Sequence, residues 1–233
     1  MTDFSPGRAN SKGLSGGRLD TASYHRNHLP LRAVLAPYLE GRTGHVLEIG
    51  AGSGQHALGF ARAFPDLAFW PSDPDPAHRK SIAAWAETER LANLRAPFSL
   101  DVREPWRLNA PGHPPAALQA VIAINVLHIA PWDVSEALIA GAAKNLVPNG
   151  FLFVYGPFAR DGAMSEGNAA FDESLKRANP VWGVRDISEL ERLAGDAGMR
   201  LEAVKDMPAG NNVLVFGNSR ERRAHWPSKA LPR

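Results

Sequence analysis

The sequence predicts an α/β fold built on a mostly parallel sheet, and three observations carry that reading. Short apolar runs alternate with amphipathic segments along most of the 233 residues. The runs AVIAINVL (120–127) and FLFVYGPF (151–158) are nearly continuous in apolar residues, as in strands covered on both faces. The run VLEI (46–49) leads directly into a glycine turn and a helix, as where a strand hands over to a crossover helix.

Residues 1–22 are rich in Gly, Ser and charge without periodicity, and read as a flexible segment ahead of a folded domain over 23–217. LPLRAVLAPYLEG is a helix entered at Pro30 and stopped by Gly41, with Leu31, Val34, Leu35 and Leu39 at helical spacing. HVLEI (45–49) is the first strand, and Gln55 to Phe64 is a helix burying Ala57, Phe60, Ala61 and Phe64. LAFWPSD (67–73) is a strand broken by Pro71, and Pro76 to Leu91 is a helix with Ile82 and Trp85 inward. RAPFSLDV (95–102) reads as a third strand, GHPPAAL (112–118) as irregular, and AVIAINVL as the next strand. Trp132 to Leu146 is a helix closed by Pro148, Asn149 and Gly150, and FLFVYGPF follows as a buried strand. The texture then changes. Residues 159–186 hold a short helix around 168–178 and a polar, aromatic loop, before a helix from Ile187 to Ala197 and two final strands in MRLEAVKDM and VLVFGN.

Composition narrows the function classes. With 44% hydrophobic residues and 8% aromatics the chain fits a globular protein. No apolar stretch reaches the ~20 residues of a membrane span, and the N-terminus lacks the apolar core of a signal peptide, so the cytoplasm is the expected location. The absence of cysteine excludes disulfides, thiolate zinc sites and a cysteine nucleophile. The net charge of +2 is uneven: residues 218–233 form a basic tail with five basic residues and one acid, leaving the middle of the chain negative. Such a tail touches nucleic acid or a membrane, or, more often for a short one, is a solvated end. His25 and His28 have a suggestive spacing, yet no further ligand lies near them in sequence, and no metal is expected.

In sheets of this kind ligands bind outside the carboxyl ends of the strands. Four expected strand ends carry polar residues there: Glu48 with Gly50, Gly52 and Gly54; Ser72 and Asp73; Asp101; and Asn125 with His128. A dinucleotide fingerprint wants G-x-G-x-x-G, whose third glycine would fall at position 55, where this chain has Gln55. Glycines at the turn permit positive φ and a closer approach than any Cβ allows; a tight strand-to-helix turn with no ligand is the plain alternative. Asp73 is placed to accept from ribose hydroxyls or else to cap the next helix, a role that Asp75 fits better. Asp101 is equally an ordinary loop aspartate. His128 is a candidate general base or substrate ligand, or a histidine that shapes a pocket. Tyr155 faces an acceptor or is a core aromatic with its hydroxyl satisfied.

The glycine pattern with Glu48 ahead of it resembles the first motif of class I S-adenosylmethionine-dependent methyltransferases. RN at Arg26 and Asn27, IGAGSGQH through His56, PSD, LDV, INVLH, YGP, spaced residues of SEGNAAFDESL, NPVWGVRD and MPAGNN together resemble the uncharacterised family of methyltransferase-like protein twenty-six and its bacterial relatives, over about residues 24–217. His25 and Gly210 depart from the family pattern. The resemblance implies a Rossmann-like class I methyltransferase fold: a doubly wound, mostly parallel seven-stranded sheet with the last strand antiparallel. It implies S-adenosyl-L-methionine as cofactor, leaving S-adenosyl-L-homocysteine, bound by Arg26, Asn27, Glu48, Gly50, Gly52, Gly54, His56, Asp73, Asp101, Val102 and Asn125. His128 and Tyr155 are the candidate catalytic residues, and they face the acceptor with Asn179, Trp182, Arg185 and Asn211. Arg185 would clamp a carboxylate or pair with Asp186. The expected partner is a small-molecule methyl acceptor enclosed by a cap over 159–186. The alternatives are an RNA or protein methyltransferase using the basic tail, a cofactor-binding module without transfer, and a nicotinamide-dependent reductase, against which Gln55 counts.

Overall fold

Strand β3 (Gly44–Ile49) is central to the computed structural model, which describes residues 11–218. It lies between β4 (Leu67–Ser72) and β5 (Leu118–Ile124), parallel to both. Strand β6 (Leu146–Ala159) continues the sheet parallel to β5. The hairpin of β8 (Met199–Asp206) and β9 (Asn211–Asn218) completes it, with β9 antiparallel to both β6 and β8. The order is β4-β3-β5-β6-β9-β8, and the two-residue β7 (Arg185–Asp186) adds to β6 as the seventh strand.

Helices cover both faces, so alternate residues of each strand enter different cores. Val46, Ala120, Ile122, Phe153 and Val215 pack with α1 (Ala22–Leu39) and α2 (Gln55–Ala63). Leu47, Val121, Leu152, Leu214 and Phe216 pack with α4 (Trp132–Asn145) and α6 (Ile187–Asp196). This two-sided burial is why those strands read as unbroken apolar runs. Helix α3 (Pro76–Glu89) is capped by Asp75, whose Oδ1 accepts from the Ala77 N–H at 2.8 Å. Helix α5 (Glu166–Ala178) is capped by Ser165, whose Oγ accepts from the Asn168 N–H at 3.3 Å.

Three expectations are corrected. The segment 95–102 is not a ladder strand: only Leu94 and Phe98 bridge to β4, and Pro97, which has no N–H to donate, interrupts the pairing. Helix α1 begins at Ala22, and Pro30 lies inside it. Residues 11–21, expected to be flexible, form a hairpin of β1 (Ser11–Gly13) and β2 (Leu19–Thr21). Gln55 pins it: Oε1 accepts from the Thr21 N–H at 2.9 Å, and Nε2 donates to Asp20 Oδ1 at 2.7 Å. Ser81 and Trp85 bond Leu19 from α3. These are long-range contacts that no local pattern announces. Residues 1–10 and the basic tail beyond Asn218 lie outside the described residues. Among the described residues no helix is long and apolar enough to cross a membrane.

Candidate active site

A cavity of about 1340 Å³ opens at the carboxyl ends of β3, β4 and β5. Its floor is the turn after β3, where Gly50, Gly52 and Gly54 have φ of +62°, +56° and +87°. The three glycines serve different ends. A Cβ on Gly54 would meet Ile82 Cγ1 at 2.8 Å, and one on Gly50 would meet Val126 Cγ2 at 2.9 Å. One on Gly52 would meet nothing within 4 Å, so this glycine keeps backbone open to the cavity. Its N–H donates to Asp73 Oδ2 at 2.9 Å. Asp73 is therefore tied to the glycine turn and to the Asp75 N–H, while the capping of α3 falls to Asp75.

Glu48 is buried at the same end, 2% exposed, and its Oε2 has no partner. Burial, with Asp73 adding to it, pushes its carboxyl up to about 8, so it carries a proton at neutral pH. His56, on the first turn of α2, has two buried ring nitrogens without partners, its ring between Tyr24 and Phe60. Burial, with His28 adding to it, lowers it to about 3. Asp101 is held by Arg103, whose Nη2 donates at 2.6 Å and keeps the carboxyl below its ordinary value. Arg26, Asn27, Val102 and Asn125 also line the cavity. Asn125 sits at φ +57°, a left-handed conformation that asparagine tolerates better than most residues.

His128 lies on the short turn Leu127–Ile129 after β5, buried and facing the cavity. Burial, and secondarily Arg185, lowers it to about 4, so the imidazole is neutral at physiological pH. Its ring packs against Gly156 of β6, where a Cβ would approach Nδ1 to 3.2 Å. The segment NPVWGVRD clamps this turn from outside. The Gly183 N–H donates to the His128 carbonyl at 3.1 Å. Arg185 donates to the carbonyls of Leu127, Ala130 and Val181. Asp172 of α5 accepts from the Val184 N–H at 2.8 Å and pairs with Lys176.

Trp182 and Asn211 line the cavity as expected, but three other assignments change. Arg185 neither lines the cavity nor pairs with Asp186, because backbone carbonyls take its guanidinium; Asp186 instead caps α6 through the Ser188 N–H. Asn179 accepts from the Val181 N–H in its own turn and points at no ligand space. Tyr155 is buried in the α1 face of the core, and its hydroxyl accepts from Asn211 Nδ2 at 2.9 Å, so it braces the cavity wall without lining it. The other side is closed by Ser165, Asn168, Phe171 and Ser174, from the SEGNAAFDESL stretch that opens α5, and by Ala209 and Gly210 of the turn before β9; both stretches carry the family resemblance, but none of these side chains is assigned to the pocket from the sequence. Asn168 Nδ2 donates to the Gly210 carbonyl at 3.0 Å, joining helix and turn. Gly210 has φ +71°, a left-handed conformation that glycine adopts without strain. At the other family departure, His25 bonds Asp20 through Nε2 at 2.7 Å. Among the described residues no cluster of three or more His, Asp or Glu forms a metal site.

Known proteins are similar to this chain in sequence or in fold. A tRNA (guanine-N(7)-)-methyltransferase of Rhodopseudomonas palustris is 31% identical over 136 residues, 54% of this chain and 47% of that protein, so the chain spans about half the length of the curated relative it matches. An O-methyltransferase family protein from Burkholderia thailandensis is similar in structure, with a TM-score of 0.71 at 16% identity over 84% of this chain and 57% of that one. Magnesium protoporphyrin IX methyltransferase from Synechocystis PCC 6803, solved with bound SAH, gives a TM-score of 0.64 at 15% identity over 84% of each chain. The fold is thus that of class I methyltransferases. Residues 18–218 match the family described as "Protein of unknown function (DUF938)", and the chain belongs to that family.

Proposed function

We propose that this protein transfers a methyl group from S-adenosylmethionine to a small-molecule acceptor. The single observation that carries the reading is one cavity, floored by an open glycine turn, that extends from Asp73 and Glu48 to His128 beneath α5. At about 1340 Å³ it exceeds the ~300–1,000 Å³ usual for one small ligand, which leaves room for a donor and an acceptor together. The residues fit the donor. Gly52 leaves unfilled the space that a Cβ would occupy, and Glu48 Oε2 is a buried polar atom awaiting a partner.

S-adenosylmethionine, when bound, supplies a methyl group activated by a sulfonium charge. The protein's share is alignment and proton removal. Asp73 and Asp101 offer carboxylates to hydroxyl and amino donors, and Arg26 offers a cation to a carboxylate. Glu48, protonated, can donate as well as accept. His128 presents a neutral imidazole to the acceptor end and takes the acceptor's proton as the new bond forms. The helix α5 and the turn Pro208–Gly210 exclude water from that end.

Equilibrium titration tests the reading: wild-type protein should bind S-adenosylmethionine, and Gly52→Val should abolish binding. A wild type that does not bind sinks it. An RNA acceptor is the second reading, supported by the tRNA methyltransferase relative. It requires the basic residues beyond Asn218 to matter, so turnover of a small acceptor unchanged by deleting 219–233 argues against it.

A further inference from the structure

Asp73 has a second carboxylate near it at the same end of the cavity. The Asp73 N–H donates to the Phe98 carbonyl at 3.2 Å, which brings the segment 98–103 alongside the end of β4. From that segment Leu100, Asp101, Val102 and Arg103 line the cavity. Three donors of Arg103 reach the Asp101 carboxylate. Its backbone N–H donates to Oδ1 at 3.1 Å, its Nε to Oδ1 at 3.0 Å and its Nη2 to Oδ2 at 2.6 Å. The guanidinium also approaches Oδ2 of Asp133, on the first turn of α4, at 3.7 Å. Pro131 and Val134, at the start of that helix, line the same cavity.

An ionised carboxylate offers about four lone-pair sites. Arg103 takes two on Oδ1 and one on Oδ2, so Asp101 keeps one open acceptor, on Oδ2. The Asp101 and Arg103 side chains are 34% and 47% exposed, and an ion pair in that setting adds little to folding. What the pair does fix is direction. A planar guanidinium bonded to both oxygens holds the plane of the carboxylate, which a lysine cannot do. The nearby lining is apolar, with Leu100, Val102, Pro131 and Val134, so a ligand group placed there finds few other polar partners. A ring edge that carries an N–H donor satisfies the open oxygen. One that carries a carbonyl sets two acceptors against each other.

We propose that Arg103 is a positioning residue that selects the base: it aims the open Asp101 oxygen into the cavity, so that the site takes a nucleoside with an exocyclic amino group and rejects its carbonyl counterpart. The inference rests on the methyl-transfer reading, in which Asp73 faces the ribose of the donor. It adds the residue on which discrimination between bases depends. Arg103 acts through Asp101 and does not itself need to touch the ligand.

The test is calorimetric titration of the full-length chain with S-adenosylhomocysteine and S-inosylhomocysteine, which present an amino group and a carbonyl at the same purine position. The wild type should bind the amino compound at least about tenfold more tightly. Arg103→Ala should cut that ratio at least about threefold, through weaker binding of S-adenosylhomocysteine. Arg103→Lys, which keeps the charge and loses the fork, should not restore it. In an Asp101→Ala background, Arg103→Ala should change the ratio no further. A wild-type ratio near one overturns the proposal, as does a ratio that holds or rises in Arg103→Ala. Recovery by Arg103→Lys assigns the effect to charge alone and overturns it too. All of these results leave S-adenosylhomocysteine bound and the methyl-transfer reading standing. A wild type that binds neither compound overturns that reading, and this inference with it.

Discussion

The two ends of the cavity are built by different means. At the end proposed for the methyl donor the groups sit on the turns that leave β3 and β4, so each is fixed by backbone already locked in the sheet, as Gly52 and Asp73 are by their mutual hydrogen bond. At the end proposed for the acceptor the turn Leu127–Ile129 is fixed from outside, by Gly183 and Arg185, and the wall is helix α5. One end is therefore held by local backbone geometry, and the other by contacts between segments up to 58 residues apart.

Gly52→Val should break the donor end most severely. Its side chain enters open cavity at φ +56°, so a loss of S-adenosylmethionine affinity of at least ~100-fold by calorimetry is expected with a stability cost of only about 1–3 kcal/mol. Gly54→Ala is the structural counterpart at the same turn. Overlap with Ile82 at 2.8 Å adds to the positive φ, and a loss of about 2–4 kcal/mol in urea denaturation is expected.

The titrating groups sharpen the contrast, because the ends respond oppositely to pH. Glu48 is raised from 4.5 to about 8, so the folded state binds the extra proton: its stabilisation is complete below 4.5 and is lost as pH rises through 8. Glu48→Gln should thus gain on wild type, on the order of 4 kcal/mol, between pH 5 and pH 8 in denaturant midpoints. His128 is lowered from 6.5 to about 4, so the unfolded state binds the extra proton and stability falls as pH drops through that window. His128→Gln should remove a loss of roughly 3 kcal/mol between pH 6.5 and pH 4.

Smaller effects belong to the acceptor end. Trp182→Ala should raise the KM for the acceptor about tenfold while S-adenosylhomocysteine affinity stays unchanged, since the side chain walls that end alone. A matching loss of donor affinity would erase the division between the ends. Asn179→Ala should change neither KM, and should cost about 1 kcal/mol or less through the lost bond to the Val181 N–H.

How much was legible follows the same division. Glu48, the three glycines and Asp73 were readable because each lies within a few residues of a strand end, where periodicity stops and the binding rule for such sheets applies. Arg185 and Asn179 were misassigned as ligands: a conspicuous arginine in an aromatic loop signals a demand for its donors, but not whether substrate or backbone meets it. Tyr155 was misplaced for a related reason, since a strand end lets a side chain enter either the core face or the cavity. The wall formed by Ser165, Asn168 and Phe171 belongs to a stretch that carries the family resemblance, yet its role was not legible, because a helix with a polar face reads the same whether that face meets solvent or a ligand.

The sequence by itself determined the alternation of strand and helix, the two-sided burial of the central strands and the turn at Gly50–Gly54, since all depend on residues near one another in the chain. Only the tertiary structure decided that Gln55 pins the N-terminal hairpin and that Arg185 clamps the His128 turn. Those are pairings across the fold. Their partners are chosen by how the helices pack on the sheet, and no local pattern of residues specifies that choice.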